Sequence, residues 1–289
     1  DRYEGDHLGN LSQLQTMLKA LGLRLGPVLL SGASYRELSE AGRSEALVEL
    51  PYLQPARTRL DSFWRSQARR PVAADMPMGF AGTRRWLQTV ASSAGVDLRL
   101  VAAYADKREA RARGPLGKMR SRWRGTRVAV FGEPPLAAGY CTMLLELGMS
   151  PILVGLTGES LGGRAAFEAV VEHNGVSLPP ETIVLEAPSL ATIRGALLER
   201  VVTGDLHGVL GSATELNLLG HATAEELTGR GGVHDGTRRG PFVVEIGFPC
   251  WHYHAVGQMP FMGYGGMVTL AQRLIDPPRV LDAGRSAVR

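Results

Sequence analysis

Apolar residues in the opening stretch "HLGNLSQLQTMLKALGL" fall at Leu11, Leu14, Met17, Leu18 and Leu21. That three-and-four spacing is one face of a helix, and Gly22 closes it. The chain then alternates short continuous apolar runs with longer amphipathic ones. "RLGPVLLSG" predicts a buried strand, and "SYRELSEAG" a short helix begun by Ser34 and stopped by Gly42. "EALVELPY" reads as a strand, "PARTRLDSFWRSQ" as a helix and "RPVAADMPMG" as an extended piece. "GTRRWLQTVASSAG" is a helix, with Thr83 as its expected cap.

A second run of the same kind begins at "GTRVAVFGE". Strands are predicted in "MSPILVGL", "ETIVLEA", "HGVLGSA" and "PFVVEIGFP". Helices are predicted in "PPLAAGYCTMLLELG", "GGRAAFEAVVEHNG", "SLATIRGALLERVV", "ATAEELTGRG" and "GGMVTLAQRLID". Strict alternation implies an α/β fold of parallel sheets with right-handed crossovers. We expect two Rossmann-like, doubly wound units at residues 1–97 and 124–289, joined by a basic linker helix at 98–123. In such sheets ligands sit at the carboxyl ends of the strands. "DMPMGFAGT", "FGEPP", "GSATE" and "GFPCWHYH" all fall there.

Composition narrows the function classes. A chain of 289 residues with 44% hydrophobic and 21% charged side chains can bury substantial cores. The net charge is +4, and most of the excess lies in "DKREARARGPLGKMRSRWRGTR". No aromatic stacking platform, zinc spacing or helix-turn-helix pattern accompanies that run, so nucleic-acid binding is not expected. A solvated, arginine-rich connecting helix, broken at Gly114–Pro115, is the expectation. Two cysteines, Cys141 and Cys250, point to a reducing compartment and are too few to hold an iron–sulfur cluster alone. No apolar run has membrane-spanning length and no signal sequence is evident, so a cytoplasmic location is expected. The chain opens on Asp1 rather than Met, which reads as a segment of a longer polypeptide.

The stretch "GFPCWHYHAVGQMPFMGYGG" concentrates the candidate chemistry. On an extended strand Cys250, His252 and His254 share one face, as a Cys/His nucleophile pair would need, but no acid obviously orients the imidazole. The same three residues supply at most three of the four ligands of a structural zinc site. Cys250 as a packed small hydrophobe, beside a core Trp251 and a hydrogen-bonded histidine, is the third reading. "VAVFGEPPLAAG" has prolines where a dinucleotide loop needs its second glycine, and "LTGESLGG" lacks the lysine of a Walker A loop.

Five stretches in order then resemble one family. "YEGDHLGNLSQLQTMLKALGL" is similar to the opening of the second domain of the nitrogenase component 1 β chain. "LPYLQPARTRLDSF" and "DMPMGFAGTRRWLQTVASSAG" resemble later elements of that domain. "RGTRVAVFGEPPLAAGYCTMLLELGMSPI" resembles the opening of the third domain, and "IGFPCWHYHAVGQMPFMGYGGM" its end. His254 falls on a histidine of the family pattern; Cys250 and His252 do not match it.

The resemblance implies the second and third of three Rossmann-like domains, with the first missing from this chain. It implies a β-type subunit of a nitrogenase-like reductase, paired with an α-type component 1 subunit and a second copy of that heterodimer. A separate iron protein would hydrolyse ATP and deliver electrons to an iron–sulfur cluster of the P-cluster type, ligated mainly outside this segment. That cluster would feed a complex iron–sulfur metallocofactor in the partner. "PFMGYGG" resembles the nitrogenase-like reductases outside nitrogen fixation, with the methylthio-alkane type first among them. On this basis Cys250, His252 and His254 would lie near the cluster region. Trp251, Met259, Phe261 and Met262 are expected to border an apolar face covered by another chain.

Overall fold

The computed structural model describes residues 6–28, 33–51, 71–158, 163–220, 240–247, 250 and 257–279. Val128, Ala129, Val130 and Phe131 are buried in succession, so this strand is covered on both faces, as a strand inside a parallel α/β sheet must be. It is one of seven described strands. In chain order the elements are α1 (His7–Ala20), α2 (Tyr35–Glu40), β1 (Val48–Glu49), β2 (Val72–Ala73), α3 (Gly79–Ser93) and α4 (Leu98–Trp123). There follow β3 (Arg127–Gly132), α5 (Pro134–Glu146), β4 (Ser150–Leu156), α6 (Gly163–His173), β5 (Ile183–Glu186) and α7 (Leu190–Thr203). β6 (Gly208–Gly211), α8 (Ala213–Gly220), β7 (Phe242–Glu245) and α9 (Gly263–Arg273) complete the described chain.

The larger sheet has the order β5-β4-β3-β6-β7, with every neighbouring pair parallel. The chain builds outward from β3 through β4 to β5, then returns to the other side of β3 for β6 and β7. The carboxyl ends of β3 and β6 therefore flank the reversal of strand order, the point where this class of sheet forms a ligand crevice. β1 and β2 form a separate parallel pair. This is the α/β, doubly wound architecture that the alternation of apolar runs predicts.

A single hydrophobic cluster reaches from Leu14 on α1 through Trp86, Leu87, Leu116 and Met143 to Leu274. α1 and α9 pack on one another, so sequence-distant ends of the described chain share one core. A smaller cluster under α7, around Phe131, Ile152, Leu197 and Val209, fills the other face of the sheet.

Several expectations need correction. α4 runs unbroken from Leu98 to Trp123 with Pro115 inside it. Both Gly114 and Pro115 are exposed, so water can solvate the carbonyl that proline leaves without a donor. Val101, Ala105, Glu109, Leu116 and Trp123 form the buried face of this helix, while Lys107, Arg111, Lys118 and Arg122 are exposed. Thr83 does not cap α3: it is fully buried, and its hydroxyl donates to the Pro77 carbonyl at 3.2 Å. Of the strand expected in "RLGPVLLSG", residues 24–28 have no regular structure and 29–32 lie outside the described residues. The predicted helices "PARTRLDSFWRSQ" and "ATAEELTGRG" lie outside the described residues. Ser34 does begin α2, with Glu37 completing a reciprocal capping box. Among the described residues no helix is long and apolar enough to cross a membrane.

Candidate functional site

Three motifs singled out in the sequence meet at one place. Asp6 caps α1, accepting from the Gly9 N–H at 2.9 Å, and its other carboxylate oxygen accepts from the Met259 N–H at 2.5 Å. One turn on, Asn10 is 2% exposed, and its Oδ1 accepts from both the Phe261 and Met262 N–H groups, at 2.7 and 2.9 Å. The next turn presents Gln13, whose Oε1 accepts from the Gly265 N–H at 3.3 Å. Successive turns of α1 thus supply acceptors to the orphan donors at and before the N-terminus of α9. The "DHLGN" opening is built to hold "MPFMGYGG".

The third motif closes the same junction. The Gly263 N–H donates to the Pro77 carbonyl at 2.7 Å, which joins "MPMG" to the α9 entry. Gly263 has φ of +67° and Gly79 has φ of +73°, backbone that an L side chain adopts at a cost. At Gly79 a Cβ would also stand 2.8 Å from Glu146 Oε2. That proximity is functional in the fold, because Glu146 on α5 accepts from the Phe80 and Ala81 N–H groups at 2.7 and 2.9 Å. A carboxylate from α5 therefore caps α3. Burial pushes the Glu146 carboxyl up to about 7, opposed by those two N–H donors and by the Arg113 cation.

Aromatic and cationic side chains pack beside the junction. Tyr264 lies 6.3 Å from both Phe80 and Tyr104, and Arg113 sits 4.6 Å over the Phe80 ring. Arg84 bridges α3 to α4 through Asp106 at 2.6 Å and Glu109 at 2.9 Å. Burial raises the Tyr264 phenol above its ordinary range, and its hydroxyl has no hydrogen-bond partner among the described residues. A phenol in that state is a neutral donor and a poor base.

At the carboxyl end of β7, Glu245 is 6% exposed and accepts from the Cys250 thiol at 3.2 Å. Arg273 donates to the Glu245 carbonyl and stacks 4.8 Å over the Phe261 ring. Tyr140 meets Phe261 edge-on at 5.4 Å, and its hydroxyl donates to the Ile246 carbonyl at 3.2 Å. His252, His254 and Trp251 lie outside the described residues. Phe261 and Met262, expected on an exposed apolar face, are instead 1% and 3% exposed within this chain. The reason is the acceptor row on α1, which draws their backbone inward and leaves both side chains in the core. Met259 is half-buried.

The other flagged loops begin helices. "GSATE" is a helix start: the Ser212 N–H and hydroxyl donate to Glu215 Oε2 at 2.8 and 2.6 Å, and the Thr214 N–H donates back to Ser212 Oγ at 3.1 Å. "FGEPP" places Pro134 at the first position of α5, where its missing N–H costs nothing.

An iron–sulfur cluster needs several thiolates converging on one point. Cys141 is fully buried in the α5 core, where desolvation raises its thiol, and Cys250 is committed to Glu245. Among the described residues no three His, Cys, Asp or Glu side chains come together as a metal site. The described residues do not fit such a cluster.

Sequence reading missed one further feature. The carboxyl ends of β1 and β2 open into a cavity of about 370 Å³ lined by Glu49, Ala74, Asp75, Arg85, Thr89 and His173. Its walls come from the ends of β1 and β2, from α3 and from α6, whose His173 pairs with Asp75 at 3.2 Å. A bland strand end such as "VELP" gives no signal for it.

Comparison with known proteins places these features in a family. The description "Nitrogenase component 1 type Oxidoreductase" matches residues 4–204. A nitrogenase molybdenum-iron protein beta chain from Frankia alni is 24% identical over 239 residues, covering 83% of this chain and 40% of that relative. The light-independent protochlorophyllide reductase subunit N of Rubrivivax gelatinosus (strain NBRC 100245 / IL144) is 28% identical over 137 residues, 46% of this chain and 31% of its own length. The solved structure "Nitrogenase Cp1 at pH 6.5" superposes with a TM-score of 0.66 at 13% identity, covering 97% of this chain and 58% of that one. The chain spans less than half the length of the curated relatives it matches. With the family description covering more than two thirds of its residues, and with its ordered motifs gathered at one junction, this chain belongs to the nitrogenase component 1 type oxidoreductase family.

Proposed function

We propose that this chain is a β-type subunit of a nitrogenase-like oxidoreductase complex. The observation that carries the reading is the match to a nitrogenase beta chain across 83% of this chain. In this reading the partners are an α-type component 1 subunit, a second copy of the heterodimer and an ATP-hydrolysing iron protein, all in the cytoplasm. Low-potential electrons pass from the iron protein through an iron–sulfur cluster to a metallocofactor in the partner. The cluster ligands lie elsewhere than Cys141, whose thiol is sealed in the core. His254, with Cys250 and His252, stands near the cluster region as wall rather than as a demonstrated ligand. The units at 1–97 and 124–289, with the helix between, correspond to the family's second and third domains.

The contribution of this chain's own residues is positional. Asp6, Asn10 and Gln13 hold the α9 entry, and Glu146 clamps α3. A rigid wall of this kind lets a buried redox centre exchange electrons without the protein rearranging around it. Within the family, "PFMGYGG" favours a methylthio-alkane substrate. The match to a protochlorophyllide reductase subunit N favours a tetrapyrrole instead, as a second reading.

The test is co-purification with the α-type partner, followed by assay with iron protein and ATP against dinitrogen, a methylthio-alkane and protochlorophyllide. Iron-protein-dependent reduction of the methylthio-alkane is expected. Turnover of only dinitrogen or only the tetrapyrrole would move the assignment within the family. Failure to associate with any component 1 partner would overturn the subunit reading.

A further inference from the structure

The outward face of α4 carries a straight row of cations. At about 100° per residue, Lys107, Arg111, Lys118 and Arg122 fall within about 60° of one another, turned away from the buried Val101, Ala105, Leu116 and Trp123. The row is about 22 Å long. All four are exposed, and none has an ion-pair partner among the described residues. No carboxylate stands three or four positions from any of them. Instead Lys107 with Arg111, and Lys118 with Arg122, are like-charge pairs at i,i+4, which weaken a helix. The helix dipole favours cations in the last turn, which accounts for Arg122 and leaves the other three unexplained. Residues 107–124 hold eight Lys or Arg and one carboxylate, Glu109, which is already bonded to Arg84 and Arg113. The rest of the chain holds 24 Lys or Arg against 27 Asp or Glu, so α4 is a positive ridge on an otherwise slightly acidic molecule. Beside the row runs a lane of small exposed residues, Ala110, Gly114, Gly117 and Ser121, which share one face of the helix.

We propose that this face of α4 docks an acidic helix of another protein, which lies along the small-residue lane and presents carboxylates to Lys107, Arg111, Lys118 and Arg122. Charge complementarity commits the ridge to an anionic partner. The lane favours a helix, because small side chains let two helices approach to about 8 Å between axes. A nucleic acid would carry its phosphates past the ridge and over the net-negative remainder of the chain. It would also find no exposed aromatic ring between residues 107 and 124 on which to stack a base. An anionic membrane meets the same repulsion, and that stretch offers no large exposed apolar side chain to insert. The proposal stands on the charge and shape of α4 and does not rest on the subunit assignment.

The experiment measures binding to the natively purified chain at physiological ionic strength, after a high-salt wash that strips any acidic protein already bound. One probe is a helical peptide with glutamates at the i, i+4, i+11 and i+15 spacing of the cation row. The others are an isomer of the same composition with those glutamates spread around the helix, duplex DNA, and phosphatidylserine vesicles. The registered peptide is expected to bind about tenfold more tightly than its isomer. Lys107→Gln, Arg111→Gln, Lys118→Gln and Arg122→Gln combined are expected to erase that preference. This variant should melt no lower than the wild type, because two like-charge pairs are gone. The same charge change at the exposed Lys19, Arg24, Arg36 and Arg43 is expected to leave the preference intact. Equal binding of the two peptides overturns the proposal. So does a preference that survives in the row variant, or tighter binding of the DNA or the vesicles than of the registered peptide.

Discussion

Glu146 shows how one side chain couples stability to pH. The unfolded chain gives up this proton near the ordinary carboxylate value of 4.5, whereas the folded protein holds it until about 7. Folding therefore takes up a proton across that window, and the stability linked to Glu146 is greatest below about 4.5 and lost as pH rises through 7. Glu146→Gln keeps an acceptor for the α3 N-terminus and removes the titration. Thermal melts of wild type and variant from pH 4.5 to 7.5 should show the wild type losing stability relative to Glu146→Gln as pH rises. Parallel curves would exclude Glu146 as the cause. Cys250 makes a second test at this scale. Its thiol donates to a nearly buried Glu245, so Cys250→Ala should cost about 1 kcal/mol in urea unfolding while leaving the assembled enzyme's turnover nearly unchanged. Loss of a cofactor's electron-paramagnetic signal in an intact complex would make Cys250 a ligand instead.

Among elements, α4 carries the most contrary sequence. Its interior holds Gly114 and Pro115, both poor helix residues, yet it runs unbroken over 26 residues. Packing explains this. Leu116 and Trp123 are buried on its inner face, the Trp123 indole donates to the Leu274 carbonyl at 3.3 Å, and Arg84 ties its first half to α3. Tertiary contacts on both sides of the proline hold the helix through it. Pro115→Ala restores one backbone hydrogen bond and removes the ring's clash, at some cost in unfolded-chain entropy. We expect a net gain of about 1–2 kcal/mol in chemical denaturation. A neutral or destabilising result would mean that two helices meet at residue 114 and that the proline starts the second.

For the whole molecule, the decisive contact spans 252 residues of chain, from Asn10 to Met262. Asn10→Ala leaves the Phe261 and Met262 N–H groups buried and unmatched, at about 1–3 kcal/mol each. We therefore expect a loss of about 2–6 kcal/mol in unfolding free energy, and faster hydrogen exchange at the amides of 261 and 262. Asn10→Asp retains the accepting oxygen and should recover much of the loss. If Asn10→Ala unfolds like the wild type, α1 is not what holds the α9 entry.

Local chemistry made much of this protein legible before any coordinates. The unbroken apolar runs of β3 and β4, the Ser34 cap and the start of α7 at Ser189 all follow from residues within a few positions of one another. Alternation of such segments implies parallel strands with helical crossovers, and the observed order β5-β4-β3-β6-β7 is one of the few arrangements that rule allows. α8 escaped notice because its signal, the reciprocal Ser212–Glu215 cap, sits in a loop that also suits ligand binding. Other features were decided only in three dimensions. Nothing near Phe261 says that it will be buried, because the acceptors that draw its backbone inward belong to α1. Nothing near Glu49 says that Arg85 and His173 will line the same cavity, because those side chains arrive on α3 and α6. Periodicity and capping act over one or two turns, so sequence alone determined the elements. A buried polar group is satisfied by whichever partner the packing brings within about 3 Å, so only the tertiary structure could decide which motifs form one junction and which charges share one cavity.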